Sequence, residues 1–260
     1  MAFKLDDIII DRILYGVADD KNGNLLYVLS QLADATINIT AESKDAVDNT
    51  GTLIKRFYQG KQGEFTANNA MLNVNIMAAG SGSEKENADV SNAITMPKII
   101  TVKSGTTATL TKYKDGTVAV NALSTNGAMG KAYKKGVEAS ETDYVLTEQG
   151  VFTPPTDATE TQFIVRYERD VTSGVAVRNR ADKFPGTVRL TLKALCVDPC
   201  TANTLRACYI VLPSFQVSPE VEISLTTDAQ LAYTGALQVD YCSADKELYS
   251  FYMAEEDEEE

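Results

Sequence analysis

The sequence predicts an all-β chain with minor helix: a β-sandwich or barrel-like core that carries a second, small inserted β-sandwich. Three observations lead there. Short apolar and polar alternations recur, as in Val188, Leu190 and Leu192 and again in Val221, Ile223 and Leu225, and a period of two sends one face of each strand into a core. Through the middle of the chain, turn residues return about every eight to twelve positions, the spacing of a sandwich. Finally, the 260 residues contain no His and no Trp. Without imidazole, Ser/His/Asp and Cys/His nucleophiles, most zinc sites and the usual general base near neutral pH are excluded.

Taken in order, the opening segment MAFKLDDIIIDRILYG holds an apolar run of only Ile8 to Ile10, broken by Asp11 and Arg12. No stretch approaches the roughly 18 apolar residues of a membrane span, so a soluble, non-secreted chain, or one released by lysis, is expected. Leu25, Val28, Leu29 and Leu32 follow the turn signal Asn22-Gly23 at helical spacing, which predicts a short amphipathic helix over 24–33, with a strand from Leu25 as the competing reading. Thr36 to Thr40 alternates strictly and reads as a half-buried strand. Thr52 to Tyr58 and Glu64 to Ala67 read as a hairpin about a turn at Gln59 to Gly63, and Leu72, Val74 and Ile76 alternate with asparagines as further sheet.

Ala78 to Asn92 is small, polar and charged, the composition of a linker or surface excursion. Beyond it, Lys98 to Val102, Thr107 to Tyr113, Thr117 to Val120, Asp143 to Leu146, Val151-Phe152 and Gln162 to Tyr167 read as strands of a separate unit. The predicted organisation is a first core half over 1–92, an inserted immunoglobulin-like β domain over 93–175, a second core half over 176–253 and a disordered acidic tail over 254–260. In the second half, strands are expected at Thr187 to Leu195, at Tyr209 to Leu212 with a stop at Pro213, at Glu220 to Thr226 and over Leu231 to Tyr241. No internal period of 20 to 50 residues is evident, which disfavours solenoids and propellers.

The formal charge of −12 argues against a protein that grips nucleic acid, because phosphate binding needs clustered cations. Half of that charge sits in the last six residues, Glu255 to Glu260, a solubilising end or a partner-binding tail. The cysteines at 196, 200, 208 and 242 lack the paired C-x2-C hooks of zinc ribbons. Cys196, Cys208 and Cys242 lie in or beside apolar runs and read as free core thiols of a reducing compartment.

Carboxylate pairs are the catalytic groups that remain: Asp6-Asp7, Asp19-Asp20, Glu84/Glu86 and Glu220/Glu222. The last pair would be neighbours at about 7 Å on one strand face, yet a flat face without aromatic platforms suits solvation better than glycoside hydrolysis. Gly80-Ser81-Gly82-Ser83 lacks the phosphate-binding lysine, and Gly127 to Lys131 lacks the strand-to-helix context, so both read as loops. Asp19, Asp20, Asn22 and Asn24 resemble part of a calcium loop but lack its closing bidentate Glu, so a tight turn is the better reading. No metal and no cofactor are expected.

The stretch Ala41 to Ala78 (AESKDAVDNTGTLIKRFYQGKQGEFTANNAMLNVNIMA) resembles bacteriophage tail tube (major tail) proteins, in which a polar loop with an Asp/Gly turn leads into a basic-aromatic strand and then a Glu-Phe strand. Ser218 to Tyr241 resembles the closing strands of such virion proteins, and Phe184-Pro185-Gly186 with the strand after it extends the likeness. The resemblance implies a tail-tube core, non-enzymatic, that self-assembles into hexameric rings stacked as a hollow tube in the virion tail, put together in the host bacterial cytoplasm. Sheath, tape-measure and tail-terminator proteins are its implied partners, and DNA passes through without specific binding. The long bridging loop or hairpin of the family falls on Glu42 to Gly63, with Asp45, Asp48, Lys55, Arg56, Phe57 and Tyr58 as inter-subunit residues. The middle region would decorate the tube exterior. Glu220 and Glu222 are the expected acidic residues of the lumen, where carboxylates repel DNA that carries about one charge per 1.7 Å. Three alternatives stand beside this reading: a capsid decoration or head-tail connector protein, a carbohydrate- or host-binding β module, and a carboxylate-only hydrolase.

Overall fold

The structure, a computed structural model, describes residues 8–259 apart from 31, 70, 72, 125–126, 200–204, 221, 224–225, 227–229 and 242. In chain order the first elements are β1 (Ile9–Asp19), β2 (Leu25–Ser30), β3 (Leu32–Val47), β4 (Leu53–Asn69) and α1 (Val74–Ser81). Then come β5 (Glu86–Ala88), β6 (Ile94–Lys103), β7 (Ala108–Thr109), β8 (Ala119–Leu123), β9 (Met129–Lys135), β10 (Asp143–Leu146), β11 (Val151–Thr153), β12 (Gln162–Val171) and β13 (Gly174–Ala176). The chain closes with β14 (Thr187–Val197), β15 (Leu205–Val217), β16 (Leu231–Leu237) and β17 (Ser250–Glu259). Backbone contacts divide it into one unit of Met1–Lys85 with Val177–Glu260 and a second of Glu86–Ala176.

In the first unit the strand order is β2-β1-β14-β15-β16-β4-β3, with β17 on β15. β14 carries the cleanest alternation, with Val188, Leu190, Leu192 and Ala194 buried, and pairs with β15 from Thr187↔Gln216 to Val197↔Leu205. The outermost strands of the order, β2 and β3, are consecutive in sequence, so the sheet curls on itself. Its core accordingly draws on every side of the curl: Ala18, Leu29, Phe65, Leu190, Leu212 and Tyr233 belong to one buried cluster. At the centre of that cluster Phe65, Phe215 and Tyr233 meet in mutual ring contacts, with centroids 5.8 Å apart for Phe65–Phe215, 6.3 Å for Phe65–Tyr233 and 5.5 Å for Phe215–Tyr233. Tyr27 adds an edge contact to Tyr233 and shares a hydroxyl hydrogen bond of 2.9 Å with it, which satisfies a phenol that burial would otherwise strand. Burial pushes Tyr27 up to about 12 and holds Tyr233 well above its ordinary value, so both stay neutral hydrogen-bonding groups.

Several sequence expectations are corrected here. Residues 25–30 form strand β2 rather than a helix: only Leu29 is fully buried, and cross-strand pairing with β1 takes the place of a helical face. The reverse holds at 74–76, read as sheet. Asn73 caps a helix there, its Oδ1 accepting the N–H of Asn75 and of Ile76, and Gly82 at φ +61° closes it; Leu72 lies outside the described residues. No turn interrupts 59–63. β4 runs unbroken, and Gly63 is a place of close approach, where a Cβ would lie 2.8 Å from Ile39 Cδ1 and Leu237 Cδ1. Pro213 does not stop its strand but sits at a bulge, since Val188 pairs with Phe215 while Leu190 pairs with Leu212. Of the strand expected at 220–226, the described residues Glu220, Glu222, Ile223 and Thr226 are loop, and Val221, Ser224 and Leu225 lie outside the described residues. The acidic end, read as a disordered tail over 254–260, is strand as far as Glu259.

The second unit orders its main sheet β6-β12-β8-β9-β10-β11-β7 and adds a β13–β5 ladder. β12 pairs with β6 without a slip from Gln162↔Lys103 to Val171↔Ile94, and its Phe163, Val165 and Tyr167 enter a core with Val120, Tyr144 and Phe152. β9 contains Met129 to Lys131, which the sequence left as loop. Buried Asp157 ties this unit together. It accepts from the Thr159 hydroxyl at 2.6 Å, from Tyr133 at 3.1 Å and from Lys131 at 3.3 Å; those donors, Thr159 foremost, hold its carboxyl down to about 2.

Because Phe65 touches both other rings of the central cluster, Phe65→Ala is expected to destabilise the first unit by about 3–5 kcal/mol in urea unfolding. A loss under about 1 kcal/mol would mean the cluster does not organise the curl.

Candidate assembly surface

β3 and β4 pair as one long hairpin in two parts. In the inner part, β4 from Gly63 to Asn69 lies between β16 and β3 and alternates buried Phe65, Ala67 and Asn69 with less buried neighbours. In the outer part, Ala41↔Lys61 to Val47↔Leu53, each strand has only the other as its described partner. The side chains from Leu53 to Gln62 are all exposed. The hairpin therefore leaves the body as a two-stranded arm, some 20 Å long for its seven-residue ladder.

The tip is built by local chemistry. Asp48 Oδ1 accepts from the Thr50 N–H, the Thr50 hydroxyl and the Thr52 N–H, at 2.8, 2.7 and 2.8 Å, and Gly51 takes φ +85°. These same bonds, the Thr50 hydroxyl first, hold the Asp48 carboxyl below the usual range. Along the arm, Asp45 and Arg56 are direct cross-strand partners and form a two-pronged ion pair, Nε to Oδ1 at 2.7 Å and Nη2 to Oδ2 at 2.9 Å. Lys55 Nζ lies 5.2 Å from the Phe57 ring centre. All six residues singled out for this segment, Asp45, Asp48, Lys55, Arg56, Phe57 and Tyr58, thus share the arm.

The apolar content of the arm is unusual for a surface. Ile54 is 69% exposed, Tyr58 70% and Phe57 52%, with Val47 and Leu53 also open. A lone two-stranded ribbon is marginal in water, and exposed apolar patches of this kind mark interaction sites. Glu220 and Glu222 are exposed in the loop after β15. Glu220 borders a polar groove of about 610 Å³ at the root of the arm with Gln62, Glu64, Gln216 and Thr234, and its N–H donates to Ser218 Oγ.

Two other motifs resolve as local structure. Asp20 closes the β1–β2 turn by accepting from the Asn22 and Asn24 N–H groups and from Asn24 Nδ2, each at 2.8 Å. Cys196 and Cys208 are free and buried, and burial pushes the Cys208 thiol up to about 12, so it is unreactive; Cys200 and Cys242 lie outside the described residues. Among those residues no helix is long and apolar enough to cross a membrane.

A family model described as the YomU/Tube protein family matches residues 8–248, a span that takes in the arm, both halves of the curled sheet and the second unit. The chain belongs to the YomU/Tube family. No curated protein matches it. The YomU/Tube family is one of phage tail tube proteins, a structural group that is not typically enzymatic, and membership implies a virion tail component that assembles with its own kind into a tube. Sequence reasoning found the residues of the arm but not its shape, because Gly60 and Gly63 read as turn residues. It missed the ordered β17 altogether, since a run of acids carries no strand signal.

Two measurements check the arm. In the dilute protein, Phe57→Ser and Tyr58→Ser are expected to change unfolding free energy by no more than about 0.5 kcal/mol, as befits exposed side chains that touch their own chain only at surface neighbours such as Lys55; a loss of about 2 kcal/mol or more would place them in an internal core. Hydrogen bonding to Arg56 holds the Asp45 carboxyl below the usual carboxylate range, so its contribution is complete above about pH 4 and fades as pH falls through the lower folded value. Carboxyl NMR titration should show Asp45 titrating low and Arg56→Gln moving it back up; an unshifted Asp45 in the parent would contradict the ion pair.

Proposed function

We propose that this protein is the tail tube subunit itself, assembling into hexameric rings that stack into a hollow conduit for the genome. The arm carries the reading: a ribbon with large apolar side chains open on it, rooted in its own core at Phe65 and, beyond Gly63, paired among the described residues only within itself. Such a device makes sense when another copy covers it. Sheath, tape-measure and tail-terminator proteins are the partners such a tube would meet, and the unit Glu86–Ala176, with a core of its own, would decorate the exterior.

The conduit would work by not binding. An acidic chain offers DNA few cationic sticking points, and Glu220 and Glu222, exposed on one loop, would add to the negative lumen wall. The rings would form in the host bacterial cytoplasm before joining the virion.

Electron microscopy of the concentrated protein should show rings or hollow tubes. Phe57→Glu with Tyr58→Glu should leave a folded monomer that makes none. A parent that stays monomeric under every condition tried would refute the assembly, and tubes from the double variant would refute the role of the arm. Reversing the loop charges with Glu220→Lys and Glu222→Lys should leave tubes intact but make them retain DNA at low salt. Unchanged DNA retention, or a map with this loop on the outer wall, would remove the pair from the lumen.

A further inference from the structure

We infer that, in the assembly proposed above and resting on that reading, the outer half of β4 in one copy docks along β17 of the next. Charge, backbone and exposed apolar surface point to the same two strands.

The outer half of β4, Leu53 to Gln62, holds Lys55, Arg56 and Lys61 and no acid, in a chain of net charge −12. Arg56 is already paired with Asp45, so Lys55 and Lys61 are the cations this edge offers. β17 holds five acids, Glu255 to Glu259, and no cation. Within the first unit these two stretches, one cationic and one acidic, carry opposite and one-sided charge.

The backbones agree. The described pairing of β4 with β16 ends at Gly63↔Leu237, so the outer half of β4 keeps one edge open. β17 has β15 as its described partner, leaving its other edge open. The β15 ladder is also irregular there: Cys208 pairs with Met253 and Arg206 with Glu258, so Ala254 to Asp257 stand opposite Ala207 alone. This acidic stretch has backbone groups outside the β15 ladder. Two open edges with opposite charge are the elements of strand addition between chains, and a contact between two different strands is head-to-tail, the kind that closes into rings.

Both partners also carry bare apolar surface: Ile54 and Tyr58 on the arm, and Phe251 and Tyr252, 42% and 54% exposed, on β17. Met253 fixes the start of β17, its Sδ accepting from Cys196 Sγ at 3.2 Å beside buried Cys208. The strand is therefore held on β15 at both ends, by Ser250 to Met253 and by Glu258 and Glu259, with Ala254 to Asp257 outside the ladder between them.

The test is a charge exchange read by light scattering and electron microscopy at low salt. Lys55→Glu with Lys61→Glu, and separately Glu255→Lys with Asp257→Lys, should each raise the concentration needed for tubes about ten-fold or more, and the combination of all four should restore it to near the parent value. A tail-reversed variant that assembles at the parent concentration overturns this docking while leaving the assembly reading intact. So does a fourfold variant no better than either pair. A parent that never assembles overturns the assembly reading, and this inference with it. Should a reversed variant melt below the parent, the chain ended at Ala254 replaces it. Unchanged assembly of that form overturns the docking, and a ten-fold loss supports it.

Discussion

The contact among Phe65, Phe215 and Tyr233 is the constraint on which the first unit depends. It joins the adjacent strands β15, β16 and β4, and each ring is fully buried. Aromatic burial of this size is the largest favourable contribution that a few residues can make, and here it fixes the register of β4. Once Phe65 is seated, a period of two carries Ala67 and Asn69 inward as well. The same strand then has no core left to enter beyond Gly63, so Leu53 to Gln62 must project. The exposed arm is thus a geometric consequence of where the inner half is held.

That division of one strand into a buried root and a bare extension links fold to function. The root spends its apolar residues on the fold, while Ile54, Phe57 and Tyr58 on the extension stay largely open. The Asp45–Arg56 pair and the Asp48 turn shape the arm without covering it. For a member of a tube family, a stiffened but uncovered ribbon is a reasonable way to keep dilute subunits folded and soluble while leaving the drive to associate in place.

How much of this was legible in the sequence follows from what each signal measures. β14 and β12 could be read directly, because strict alternation and a one-sided core are the same fact seen twice. β2 was ambiguous: Leu25, Val28, Leu29 and Leu32 satisfy a helical period, and only pairing with β1 decides for a strand. α1 was missed because Val74 and Ile76 alternate with asparagines, although Asn73 before them and Gly82 after them are the marks of a helix start and stop. Gly60 and Gly63 suggested a turn where Gly63 instead admits Ile39 and Leu237. The arm residues were found through a family likeness rather than a physical pattern, and β17 was hidden by its acids, whose place on β15 is set by long-range pairing that no local window contains.

The central claim is that the arm is rooted in the core yet completed only by another copy, and amide hydrogen exchange measures this most directly. In dilute protein the amides of the outer arm, from Ala41 to Gln62, should exchange orders of magnitude faster than those of β14 and β15, and on concentration into assemblies they should gain strong protection. Protection of the arm equal to that of β14 in the dilute monomer, or an arm still unprotected in the assembled state, would contradict the account.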